Sequence, residues 1–326
     1  MESPDSTCYH LIEWKDVLES SFGVKTYYLL AENQTNAIKG VLPLAQLKSI
    51  LFGNFMVSLP YFNFGGICSD GGEAAEGLLS EAIRIASEEK AEHIELRHTS
   101  NCLHGLAVKT AKVSMQLRLP NEKEELWKSL VSNLRRKVRK PTKEGMYAKF
   151  GGEEELENFY RIFSTKMRDL GTPVYSKVFF RNILKAFPRS TWICSVYTRE
   201  RQAVASAFLV GFKERMELPW VSSLKDYDRY YANSLLYWSA LEFACDTGFR
   251  IFDFGRSTPG EGTYNFKEQW GANAVQLYWH YWMRNNGPLP ELNPKNPKYQ
   301  LAIRMWKKLP LWLTRILGPG IVKNLP

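Results

Sequence analysis

The sequence predicts an α/β (α+β) protein built in two units of strands and helices, the second a mostly antiparallel sheet flanked by helices. Runs rich in aromatic and branched residues alternate with stretches of helical period, and no short repeat interrupts them. With 326 residues the chain is long enough for two cores, and 44% hydrophobic with 24% charged residues describes an ordered globular protein.

In order, VKTYYLLA (24–31) and AIKGVLPLAQL (37–47) read as neighbouring strands separated by the turn-forming ENQTN. GGEAAEGLLSEAIRIASEEKA puts Leu78, Leu79, Ala82, Ile83 and Ala86 on one helix face, and HIELRH follows as a strand. KVSMQLRLP alternates and ends at Pro120, closing a first domain at 1–120. The second domain, 121–284, is expected to open with a helix from Glu122 to Lys140. A strand from Met146 to Phe150 and helices over Glu153 to Leu170 and Ser176 to Phe187 come next. The strands TWICSVYT, AVASAFLVGF and RMELPWVSS, the helix YANSLLYWSALEFACDTG, the strand RIFDFG and a last strand VQLYWHYW complete it, with one helix crossover late in the domain. Over 285–326, the Pro/Asn linker NNGPLPELNPKNPKY leads to a short amphipathic tail, Leu301 to Leu317, broken by Pro310 and Pro319.

Composition narrows the function. Cys8, Cys68, Cys102, Cys194 and Cys245 lie far apart with neither CxxC nor metal-ligand spacing, so neither a disulfide framework nor a metal site is expected. The first residues lack the regions of a signal peptide, and no apolar run approaches the ~18 residues of a membrane-spanning helix. The expected location is the cytoplasm. A net charge of +9 admits anionic partners: nucleic acid, phosphorylated metabolites or a lipid surface.

Three segments have the residues for chemistry. In SNLRRKVRKPTKEG, Arg135, Arg136, Lys137, Arg139, Lys140 and Lys143 form either a solvated basic turn or a landing site for phosphates. In STKMRDLGTPVYSKVFF, Gly171 and Pro173 break two helices between Lys166, Arg168, Thr172 and Tyr175; this is an ordinary connection or a loop across a cleft. In FDFGRSTPGEGTYNFKEQWGA, the strand delivers Asp253 and Phe254 to its end, Gly255 lets the backbone turn, and Arg256 emerges where open α/β sheets place ligands. Gly260 and Gly262 keep the loop thin, and Tyr264, Phe266 and Trp270 are placed to anchor it while aiming Lys267 elsewhere.

That last stretch, with YANSLLYWSALEFACDTGFR before it, resembles the signature of the Fem-type (FemA, FemB, FemX) aminoacyltransferase superfamily, most of all its branch associated with PEP-CTERM and exosortase systems. GVLPLAQLKSILFGNFMVSLPYFNFGG, LRRKVRKPTKEG and MRDLGTPVYSKVFF add matches, and the resemblance runs from about Trp14 to the C-terminus. It implies two GNAT-like domains, each a mixed, mostly antiparallel sheet flanked by helices, with the C-terminal tail packing back on the first. It also implies transfer of an amino acid from aminoacyl-tRNA to an amine of a peptidoglycan precursor, without a cofactor. Lys267 matches the family lysine proposed to contact the reacting carbonyl or the substrate's phosphates; Arg256 would be the second cation, and Asp253 would orient Arg256 or accept a proton. Substrate contacts are expected from Arg135, Arg136, Lys137, Arg139, Lys166, Arg168, Thr172, Tyr175 and Tyr264. Two departures accompany the match: a leading strand is expected to be short or absent, and the long helical-hairpin arm of some relatives has no counterpart.

An amine attacking an activated acyl group creates an oxyanion, which a fixed cation stabilises. No Ser or Cys with a neighbouring His stands out, which favours direct aminolysis. The first rival is an acyl-CoA-dependent N-acyltransferase, disfavoured because SSLKDYDRYYANSLL lacks the glycines of a pyrophosphate loop. The second is a non-enzymatic basic protein that binds RNA or an anionic membrane through 135–143 and the tail WKKLPLWLTRILG. The acceptor is expected to be a phosphorylated or lipid-linked envelope precursor, with peripheral contact at the inner face of the membrane through the tail.

Overall fold

The computed structural model describes residues 6–50, 52–285, 287–290 and 297–325. In chain order its elements are α1 (Glu13–Phe22), β1 (Lys25–Glu32), β2 (Ile38–Ser49), β3 (Gly53–Val57), β4 (Cys68–Ser69), α2 (Gly72–Glu88), β5 (His93–His98), β6 (Ala107–Lys109) and β7 (Val113–Arg118). There follow α3 (Lys123–Ser129), α4 (Ser132–Lys143), β8 (Tyr147–Gly151), α5 (Leu156–Leu170), α6 (Lys177–Ala186), β9 (Thr191–Tyr197), β10 (Ala203–Phe212) and β11 (Arg215–Ser223). Last come α7 (Ala232–Asp246), β12 (Ile251–Ser257), α8 (Gly262–Glu268), β13 (Asn273–Gln276), β14 (Tyr278–Met283), α9 (Pro297–Trp306) and α10 (Leu311–Val322).

The chain divides into two compact units. One takes the residues up to Val113, those from Gln276 through β14, and those from Gly320; the other takes Ser114 to Val275 and the tail helices up to Pro319. The first unit's sheet runs β1-β2-β3-β5-β14-β6, with β4 also paired to β2. Against it α2 lays Leu78, Ala82, Ile85 and Ala86 on Leu42, Leu44, Met56, Ile94 and Leu96. All six residues of HIELRH are buried, because β5 lies inside the sheet between β3 and β14.

Four of the five histidines, distant in sequence, are buried in this unit. Three of them have a hydrogen-bond pattern that fixes their protons. His98 Nε2 accepts from the Ile67 N–H at 2.9 Å, so its Nδ1–H donates to His280 Nδ1 at 3.2 Å, and His280 Nε2–H then donates to Asn101 Oδ1 at 3.0 Å. His10 Nδ1 accepts from the Thr7 N–H and its Nε2–H donates to the Gly66 carbonyl.

The second unit's sheet runs β13-β7-β12-β11-β10-β9-β8. On one face α5 and α6 bring Phe159 onto Phe208 and Phe180 onto Phe208 and Trp220, with Phe163 behind Phe180; on the other, Tyr237 of α7 packs on Phe254. α7 is the crossover joining β11 to β12, which pair in parallel.

Several expected boundaries move. The helix expected over Glu122 to Lys140 is two, because Leu130 and Val131 adopt extended backbone between α3 and α4. KVSMQLRLP does not close the first domain: β7 enters the second sheet, where Ser114 and Gln116 hydrogen-bond to Asp253 of β12. The expected last strand is likewise two: β13 stays in the second sheet, while β14 joins the first between β5 and β6. The units therefore divide at Val113 and Val275, not at 120 and 284. The tail, expected on the first domain, belongs to the second unit as far as Pro319, because Ile303 seats on Gly171 and Gly318 on Val174. Asn286 and 291–296 of the expected linker lie outside the described residues.

Candidate active site in the second unit

The parallel ladder of β11 and β12 is short. It joins Arg215 to Ile251, Met216 to Phe252 and Glu217 to Asp253, and no further pair joins the two strands among the described residues. At that point β11 bulges: Glu217 faces Val210 and Trp220 faces Phe208, so Leu218 and Pro219 oppose the single Leu209. Pro219 has no N–H to give a neighbouring strand. Beyond the fork, Ser222 on β11 and Ser257 on β12 are buried with hydroxyls that have no hydrogen-bond partner among the described residues.

Asp253 stands at the fork, buried and heavily engaged. Its carboxylate accepts from the Ser114 hydroxyl at 2.6 Å, the Gln116 amide at 3.1 Å and the Gly255 N–H at 2.8 Å, with Arg215 Nη1 at 3.9 Å. A carboxylate so occupied is a strut for the strand end, which disfavours the role of proton acceptor. Gly255, at φ 78°, takes the left-handed conformation that turns the chain, and Arg256 follows with an exposed side chain.

Lys267, on α8, reaches back beneath this turn. Its Nζ donates to the carbonyls of Gly255 and Arg256, both at 3.0 Å. The side chain is only 8% exposed. Burial pushes its pKa down to about 8, with Asp253 opposing the fall and Arg256 adding to it. An ammonium has three donors, and two of these are spent on the backbone. The expectation that Lys267 points away from the core is thus corrected: Trp270 anchors the segment and Phe266 packs on Tyr237, but Lys267 also points inward. Tyr264 sits half-buried on α8.

Arg135, Arg136, Arg139, Lys140 and Lys143, with Ser132, line a concavity of about 520 Å³ on α4. None of these cations makes an ion pair among the described residues, because no carboxylate lines the concavity. Arg139 stacks over Trp127 at 5.1 Å, Lys140 donates to the Arg229 carbonyl, and Lys137 and Lys140 lie over Tyr231 at 5.9 and 5.1 Å. Strand register puts the C-terminal end of α4, with Lys140 and Lys143, on the side of the sheet to which the C-terminal ends of β11 and β12 point. Tyr147 pairs with Tyr197, Tyr197 with Ala203, and Ala205 with Ser223, the C-terminal end of the β11–β12 pair.

The residues around Gly171 and Pro173 form a separate group. Gly171 caps α5 at φ 79°, Thr172 N–H bonds the Met167 carbonyl, and Arg168 pairs with Asp169 at 2.8 Å. Lys166 is half-buried on α5, and Tyr175 packs among Phe163, Phe179 and Trp220. The break lies under the tail instead of across an open cleft, since a Cβ at 171 would stand 2.6 Å from Ile303.

Sequence reasoning missed Ser114 and Gln116; the polar alternation of β7 was their signal. It also missed a concavity of about 300 Å³ in the first unit, lined by Gly66, Gly71, Gly72, His98 and Ser100, among others. Among the described residues no disulfide joins the five cysteines, and no cluster of three or more His, Cys, Asp or Glu could hold a metal ion.

Residues 128–268 match the family model of the acetyltransferase (GNAT) domain. Over 93% of this chain and 96% of the other, the structure superposes on that of FemX with a TM-score of 0.68 at 15% identity. The fold is FemX-like. L-PGS from Bacillus licheniformis follows at a TM-score of 0.56 and 12% identity over 94% of this chain and 99% of that one. A tandem GNAT protein from the clavulanic acid biosynthesis pathway gives 0.51 at 9% identity over 82% and 85%. No curated protein sequence matches. The two mixed sheets flanked by helices are those of GNAT-like domains, and the second unit is an acyltransferase domain.

Proposed function

We propose that this protein is a Fem-like aminoacyltransferase that forms an amide on an amine of a cell-envelope precursor, either a peptidoglycan peptide or the amino sugar of an exopolysaccharide. The observation that supports this most is Lys267, a buried amine with a pKa of about 8, held by two carbonyls beside the open end of the β11–β12 pair. The attacking amine forms the new C–N bond, the ester C–O bond to the donor breaks, and the amine's proton goes to the leaving oxygen. The third donor of Lys267 is directed to the oxyanion between these steps. Asp253, Ser114 and Gln116 hold the strand end that carries the loop, and the unpaired cations of α4 receive phosphates of the donor, aminoacyl-tRNA. The reaction belongs in the cytoplasm, where charged tRNA is found.

A second reading, transfer from acyl-CoA, is favoured by the family model over 128–268. Against it, the segment before α7 is a 3₁₀ turn, Lys225–Tyr230, followed by Tyr231 at φ 61°, a bulky approach for a pyrophosphate. Titration with charged tRNA, uncharged tRNA and acetyl-CoA at two salt concentrations separates the readings. Salt-sensitive binding that prefers charged tRNA is expected; binding of acetyl-CoA alone would replace the first reading by the second.

A further inference from the structure

α9 and α10 both pack on the short stretch after α5: Ile303 and the Lys307 stem lie on Gly171, and Gly318 lies on Val174. Arg315 is drawn into the same contact, its Nε donating to Ser164 and its guanidinium lying over Tyr160 at 5.5 Å. In helical rotation Leu301 and Met305 stand opposite Ile303, and Trp312 and Ile316 stand opposite Thr314 and Gly318. These four outward side chains are 64, 61, 63 and 66% exposed. Arg304, Lys307 and Lys308 flank them, also exposed, and from residue 292 to the C-terminus the sequence has no Asp or Glu.

We infer that α9 and α10 form a peripheral docking surface for a bilayer containing anionic phospholipid. The charge decides between occupants. An apolar face meant for a second copy of this chain would set its own cations against each other, whereas an anionic headgroup layer complements them while the acyl region takes Leu, Met, Trp and Ile. Trp312 suits the boundary, with an apolar body and a polar N–H. No helix among the described residues is long and apolar enough to cross a membrane, so the contact lies in the interface plane. Of Lys307, Lys308 and Arg315, which the sequence alone offers as headgroup contacts, Lys307 and Arg315 are partly committed to the protein; Lys308 remains, and Arg304 joins it. The inference stands whether the acyl donor is tRNA or CoA.

The test is flotation of the full chain with vesicles of phosphatidylcholine, with and without phosphatidylglycerol. Binding only where phosphatidylglycerol is present is expected. Trp312→Ser with Ile316→Ser should lower the bound fraction at least about tenfold, and Arg304→Glu with Lys308→Glu should abolish the preference for phosphatidylglycerol. All four positions are at the surface, and unchanged circular dichroism checks the fold. Absence of binding to phosphatidylglycerol vesicles, or undiminished binding by the Trp312/Ile316 variant, would overturn the inference. A concentration-dependent dimer lost in that variant would do so too, assigning the face to a second copy.

Discussion

Replacing Lys267 with methionine is expected to stop acyl transfer while costing the fold little at neutral pH. Burial lowers the amine's pKa from 10.5 to about 8, so the native state binds the proton less tightly than the unfolded chain. By linkage, native Lys267 carries a charging cost of roughly 3 kcal/mol at pH 7. That cost is absent above pH 10.5, grows as the pH falls through the window from 10.5 to 8, and is constant below about 8. At pH 10 it has shrunk to about 1 kcal/mol. Methionine removes the cost but leaves the Gly255 and Arg256 carbonyls without their donor, a loss of about 1 kcal/mol each. The stability difference between the two proteins should therefore shift by about 2 kcal/mol in favour of wild type between pH 7 and pH 10. Urea unfolding of both proteins at pH values across this range measures it, since titrations common to the two cancel in the difference. A difference that stays flat would refute the lowered pKa, and with it the idea of an amine poised near ionisation.

His98 offers a second window of the same sign at lower pH. Burial, with His280 and His10 nearby, drives its pKa from 6.5 to about 3, so its contribution is complete above pH 6.5 and is lost as the pH falls toward 3, about 2 kcal/mol by pH 5. The urea midpoint of His98→Gln should fall less than that of wild type between pH 7 and 5; parallel falls would count against the assignment. Asp253→Asn turns an amide donor toward groups that themselves donate, and should lose about 1–3 kcal/mol of stability by urea unfolding, with turnover falling alongside. Reversing Arg135, Arg136 and Arg139 to Glu should weaken tRNA binding and flatten its dependence on salt, read by fluorescence anisotropy; an unchanged salt slope would remove α4 from the phosphate site. Gly171→Ala forces a left-handed φ on alanine and a 2.6 Å approach to Ile303, so heat unfolding should come several degrees lower.

Much of the fold is legible because periodicity survives translation into packing. The near-continuous apolar run AVASAFLVGF reports a strand buried on both faces, and the helical period of the stretch before β5 reports which side faces a core. What sequence could not assign was membership. β7 and β14 look alike as strands, and only pairing partners far along the chain send one to each sheet. The site shows the same limit. Gly255 and Lys267 were visible because a turn and a lysine between aromatic residues are local features. The alternation of β7 marks Ser114 and Gln116 as polar strand positions, but their partner Asp253 lies more than a hundred residues away and cannot be read locally. The histidines read as scattered for the same reason: His98 and His280 meet only because β14 returns to β5.

A sheet is a zipper of hydrogen bonds, and at Pro219 a tooth is missing by covalent constitution. Past Asp253 no pair joins β12 to β11 among the described residues, so the fork stands open without a ligand to prise it apart. An acyl group would enter a slot already cut to shape, and the free energy of binding would go to holding the substrate, with none diverted to separating strands.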